Sequence, residues 1–146
     1  MPSTDPAWTF IHSVECGVPL EFAWKFWTNV ENWKLDADVV SVEIDGPFAA
    51  GARGMTVSKS NGPIQWRVAE VVPGRAVIEF PLPGALGQFV WTFEDLGKRT
   101  RLAQHCSLAG DQAEGFAKAV GPSLEAGIPA GMQKLCDSME GAWRAR

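Results

Sequence analysis

DQAEGFAKAVGPSLEAGIPAGMQKLCDSMEGAW, residues 111–143, is the stretch whose periodicity decides the fold. Phe116, Val120, Leu124, Ile128, Met132, Leu135 and Met139 recur every three or four residues, so they form one apolar stripe on a helix. A helix with a single apolar stripe has to bury it on another element. Pro122 and Pro129 fall inside the pattern. Proline lacks the backbone donor and collides with the preceding turn, which predicts a break near Gly121 and Pro122, a main helix from about Ser123 to Trp143, and a kink at Pro129.

The chain before this helix supplies the partner surface. Trp8, Phe10, His12, Val14 and Cys16 alternate with Thr9, Ile11, Ser13 and Glu15, the period of two that marks a strand. After Pro19, the residues Leu20, Ala23, Trp24, Phe26 and Trp27 return to helical spacing, and Asn32 to Leu35 allow a second short helical turn. Alternation then resumes at Val40–Ile44, Met55–Lys59, Ile64–Val68, Ala76–Phe80, Phe89–Phe93 and Thr100–Leu108. Gly46-Pro47, Asn61-Gly62-Pro63, Pro73-Gly74, Pro83-Gly84 and Gly97 separate these runs as turns. The expected fold is α+β: a curved antiparallel sheet of six or seven strands wrapped around a long C-terminal helix, with two short helices after the first strand. With 146 residues, one domain spanning 1–146 is expected.

Composition removes several function classes. Thirteen Lys and Arg against 17 Asp and Glu give a formal charge of -4, without the positive excess that attracts nucleic acid or anionic lipid. No apolar run approaches the roughly 18 residues that span a bilayer, and the first ten residues carry no basic cluster or apolar signal core, so a cytoplasmic protein with no integral membrane association is expected. Cys16, Cys106 and Cys136 are few, odd in number and far apart, which fits reduced thiols. No metal-ligand spacing, phosphate-cradling glycine loop or nucleophile elbow occurs, so no metal or cofactor is expected. Seven Trp and eight Phe with no Tyr imply wide apolar surfaces that core or ligand must fill.

Three stretches, in order, carry a family resemblance. Residues 18–33, VPLEFAWKFWTNVENW, resemble the first-helix pattern of the START-like (SRPBCC, helix-grip) superfamily, where a proline precedes a helix ending in an Asn-containing turn and a Trp. Residues 68–75, VAEVVPGR, are similar to its strand ending in a Pro turn, and residues 97–102, GKRTRL, to its Gly-then-Thr entry to the last strand. The polyketide cyclase/dehydratase-like branch is the part it most resembles. The resemblance implies a helix-grip fold with an internal cavity, and leaves the reaction to be argued from the site.

A pocket between helix and sheet would be lined by the large residues on inward parities: Trp33, Met55, Val57, Ile64, Trp66, Ile78, Trp91, Phe93, Leu124, Ile128 and Met132, with Gln104 and Cys106. Catalysis would need a polar group among them. His12 shares the parity of Phe10 and Val14; Gln104 could orient a carbonyl or hydroxyl, or serve a core backbone group; Glu79 has the parity opposite to Ile78 and Phe80; Asp36 and Asp38 follow the second helical turn. Cys106 suits a small buried hydrophobe, and His105 the solvent face. Three functions stay open: binding of a small hydrophobic molecule as carrier or sensor, a polyketide cyclase/dehydratase-like enzyme with an inward acid or base, and a protein-interaction module of the co-chaperone type. A monomer or a homodimer fits each.

Overall fold

The computed structural model describes residues 6–35, 38–59 and 62–146. Its strands are β1 (Trp8–Cys16), β2 (Val39–Ile44), β3 (Arg53–Ser58), β4 (Gly62–Val72), β5 (Arg75–Leu82), β6 (Ala85–Asp95) and β7 (Thr100–Ala109). Helix α1 (Leu20–Thr28) and a short 3-10 helix (Val30–Leu35) follow β1, and α2 (Ala113–Arg144) closes the chain. The seven strands form one antiparallel curved sheet in the order β1-β7-β6-β5-β4-β3-β2, with β1 and β2 as open edges.

The turn after α1 is built to satisfy helix-end carbonyls, which have no partner within a helix. Thr28 Oγ1 donates to the Trp24 carbonyl at 2.8 Å, Asn32 Nδ2 to that of Phe26 at 2.9 Å, and Trp33 Nε1 to that of Trp27 at 2.7 Å. The Asn-Trp pair that carries the resemblance therefore has a local structural role, in that it ends α1 and presses Trp33 into the core.

Helix α2 corrects the sequence reading. It runs unbroken through Pro122 and Pro129 and begins at Ala113, ten residues ahead of the start expected from Pro122. Each proline costs a helix interior about 3 kcal/mol. Burial outweighs this, because Ala113, Gly121, Ile128, Met132, Cys136 and Met139 are all buried, and each large side chain contributes about 1.5–3 kcal/mol. The helix lies along β1 in the same direction: Trp8 Nε1 donates to Glu125 Oε1 at 3.1 Å, and Gly17 N to Glu140 Oε2 at 2.7 Å.

Pro81 lies within β5 instead of ending it. It is tolerated because β4 pairs with β5 only as far as Glu79, so no ladder partner is asked of the missing N–H on that side.

Candidate functional site

Antiparallel register assigns every strand residue to a face, since paired residues share one and successive residues alternate. The face toward α2 is built of cross-strand rows. One row holds Trp8, Leu108, Gly87 and Phe80; the next holds Phe10, Cys106, Phe89 and Ile78; the third holds His12, Gln104, Trp91 and Ala76; the fourth holds Val14, Leu102 and Phe93.

Two glycines let rings lie flat on this face. A Cβ at Gly87 would come within 1.9 Å of the Phe80 ring, and one at Gly54 within 2.2 Å of the Trp66 ring. The Phe80 ring also stacks on Phe89 at 4.6 Å. Around α1, Trp27 is the hub of an aromatic cluster, with ring centroids 5.0 Å from Trp91, 5.2 Å from Phe48, 5.5 Å from Phe93 and 5.7 Å from both Trp24 and Trp33.

Packing on this face is uneven. Cys16, Leu102, Thr100, Met132, Cys136 and Met139 are fully or almost fully buried where the second half of α2 sits on the sheet. Phe10, His12, Phe89 and Trp91 on the sheet and Leu124 on α2 stay partly accessible, although Cys106 and Ile78 in the second row and Leu108 and Phe80 in the first are buried. A helix seated directly on the middle of the sheet would have sealed them.

Gln104 is the buried polar exception in these rows. It is 7% exposed and its side chain makes no hydrogen bond within the described residues, yet among those residues no side-chain N or O atom sealed from solvent lacks a partner. Both amide atoms therefore touch open space on the helix side of β7. His12, its cross-strand neighbour, and the indole N–H of Trp91 likewise have no hydrogen-bond partner among the described residues. The third row is thus an unpartnered polar line across an apolar wall. The indole N–H of Trp27 likewise has no partner among the described residues and is not sealed.

Of the residues expected to line a pocket, Ile64, Trp66, Ile78, Trp91, Phe93, Gln104 and Cys106 stand on the helix-facing side of the sheet, and Leu124, Ile128 and Met132 on the packed face of α2. Trp33 stacks on Trp66 at 5.2 Å from the 3-10 helix. Met55 and Val57 stand on the other face, Met55 in one row with Glu43 and Gln65. The physical reason is local: Gly54 is needed inward to admit the Trp66 ring, and Thr56 inward to accept from Trp66 Nε1 at 2.9 Å. Period-two alternation then sends the larger neighbours outward.

Glu79 is also on the outer face, where it accepts from Arg67 Nε at 2.9 Å. His105 is exposed there too, whereas Asp36 lies outside the described residues. Glu43, Asp45, Arg53, Met55, Gln65 and Arg67 border an open basin of about 480 Å³ on this convex side. The expected lining omits Phe10 and Phe89, which share the helix-facing side and stay partly accessible; their alternation with Ile11 and Val90 is the sequence signal that points to them.

Burial pushes the Cys106 thiol up from 9.0 to about 12, and burial is also the largest cause raising Cys16 and Cys136. None is a poised nucleophile. A raised thiol contributes stability that is fully present below the unfolded pKa and is lost as pH rises through the folded one. Urea unfolding should therefore show stability falling between pH 9 and 12, by up to about 1.4 kcal/mol per pH unit for Cys106 alone. Cys106→Ala should have a visibly flatter slope; an unchanged slope contradicts the assignment.

No protein-family model matches the sequence, and no curated protein matches it. Solved structures do match in fold. The Thermus thermophilus protein TTHA0849 superposes with a TM-score of 0.73 at 16% identity, covering 92% of this chain and 98% of that one. Norcoclaurine synthase from Thalictrum flavum, solved in complex with dopamine and hydroxybenzaldehyde, gives 0.70 at 13% identity over 90% and 85% of the two chains. Ara h 8.0201 gives 0.70 at 12% identity over 95% and 99%.

Proposed function

We propose that this chain, which has the START-like helix-grip fold, holds a small, mainly apolar molecule between the first half of α2 and the middle of the sheet. One observation carries the reading: the amide of Gln104 has no hydrogen-bond partner among the described residues and is not sealed, on a face where Phe10, Phe89 and Trp91 are also partly accessible. Apolar walls with a few convergent polar groups are what small-molecule sites use. The shared fold supports it further, since one structural neighbour was solved with dopamine and hydroxybenzaldehyde.

Binding is favoured over turnover by what lines the face. Glu79 points away and pairs with Arg67, Cys106 is a buried thiol, and His12 alone of the titratable candidates stands beside the opening. Proton transfer needs a matched partner on the substrate as well as a base. Carriage or sensing needs only the pocket.

Leu124→Trp tests this by filling the space. The added ring should weaken binding of acetylnaphthalene, read by quenching of tryptophan emission, by at least about tenfold. Thermal stability should hold or rise, because the ring enters open volume. Undiminished binding in this variant would contradict the proposed location.

A further inference from the structure

We propose that the molecule bound here is a flat apolar body carrying one uncharged oxygen, a ketone, aldehyde or hydroxyl, and that Gln104 reads that oxygen, a proposal that rests on the binding reading above.

Four features of the face point to this class. First, the polar capacity sits at one height. The rows on either side of Gln104 present Phe10, Cys106 and Phe89 on one flank and Val14, Leu102 and Phe93 on the other. A ligand with polar groups spread along its length would bury most of them against hydrocarbon without partners, which is unfavourable.

Second, the chemistry of the row suits a neutral oxygen. A carboxamide offers two N–H donors and a carbonyl acceptor, an indole only a donor, and a neutral imidazole one of each. A ketone can accept from Gln104 and from Trp91, and a hydroxyl can also donate back to Gln104 or His12.

Third, the strands facing the helix offer little charge. The inward positions of β1, β5, β6 and β7 carry no lysine, arginine or glutamate. Asp95, at the far end of β6, accepts from the Gly97 backbone N–H at 2.8 Å. A carboxylate or ammonium held beside Gln104 would meet no lysine, arginine, aspartate or glutamate in these rows, His12 being the one titratable side chain in its row.

Fourth, Gln104 itself asks for a partner. A leucine or methionine there would complete the hydrophobic row, while the glutamine is nine-tenths buried with its amide unpaired. Its amide is only partly hydrated, and a ligand oxygen gives it a direct partner in the complex. Discrimination by such a group is steep, because a ligand lacking the oxygen leaves the amide unsatisfied.

The test uses three shape-matched probes with the full chain: acetylnaphthalene, isopropylnaphthalene and naphthoate. The wild-type protein should bind the ketone about tenfold tighter than the hydrocarbon, about 1.4 kcal/mol, and naphthoate more weakly than either. Gln104→Met keeps the volume and removes the amide, so it should bring the ketone-to-hydrocarbon ratio close to one while hydrocarbon affinity stays within about twofold. Where Gln104→Met does not fold, the carbonyl stretch of bound acetylnaphthalene in the wild-type protein decides: it should lie lower than in hexane. A wild-type ratio near one, a ratio that survives Gln104→Met, naphthoate binding best of the three, or an unshifted carbonyl would overturn this proposal and leave the binding reading standing. Failure of all three probes to bind would remove the binding reading and this one together.

Discussion

Gly87→Ala should destabilise the protein by about 3 kcal/mol, although it adds a single methyl group to a strand. The new carbon would lie 1.9 to 2.4 Å from three atoms of the Phe80 ring, far inside the ~3.5–4.0 Å of an ordinary carbon contact. Phe80 has little room to retreat: it is 5% exposed and stacked on Phe89 at 4.6 Å. Overpacking of this kind costs about 1–3 kcal/mol, and losing the ring pair about 0.5–1.5 more. A double-mutant cycle with Phe80→Leu, measured by urea unfolding, should recover more than half of the loss, since the smaller side chain leaves the methyl room. A loss below about 0.5 kcal/mol would mean that the ring does not lie across Gly87.

The second large effect is expected at Trp27. Its ring is 2% exposed and lies within 5.7 Å of five other aromatic rings, drawn from α1, the 3-10 helix, the β2–β3 connection and β6. Truncation to alanine removes the side chain that joins α1 to the sheet. The cost should be about 3–5 kcal/mol, and Trp27→Phe should retain more than half of the difference. Because Trp91 and Trp33 both pack on Trp27, the alanine variant should also lose near-ultraviolet circular dichroism beyond one indole's share. A small, local spectral change with stability intact would show that the cluster is not the joint between α1 and the sheet.

Much of the fold is legible because the strands and α2 obey their periods so regularly. Alternation foreshadows every one of the seven strands, and both short helices follow from the spacing of Leu20, Ala23 and Trp27 and from the turn near Trp33. Pro122 misleads, since a proline rule describes an isolated helix and carries no information about how firmly the flanking turns are docked. Here Gly121 rests on the Trp8 indole, where a Cβ would be 3.2 Å from Nε1, and the contact holds the helix together across the proline. The outward placement of Met55 and Val57 shows a second limit. Apolar size alone selects them for the lining, whereas the face is set by where the Trp66 ring needs a glycine.

The candidate site is half legible for a related reason. Parity puts His12 and Gln104 on the inner face and Glu79 outside it, in agreement with the register. What a one-dimensional pattern cannot carry is whether a buried amide finds a partner. For Gln104 both a bonded core role and an orienting role are open in the sequence, and only its lack of a side-chain hydrogen bond among the described residues separates them. The convex basin around Met55 is invisible for the same reason, being formed by strands whose outer residues are individually ordinary.

The basin on the convex side and the proposed site on the helix side make a direct contest, and the placement of a bound probe settles it. In isotope-edited nuclear Overhauser spectra, acetylnaphthalene protons should show contacts to Phe89, Trp91 and Leu124. Contacts to Met55 and Gln65 in their place would put the molecule on the convex side and contradict the account.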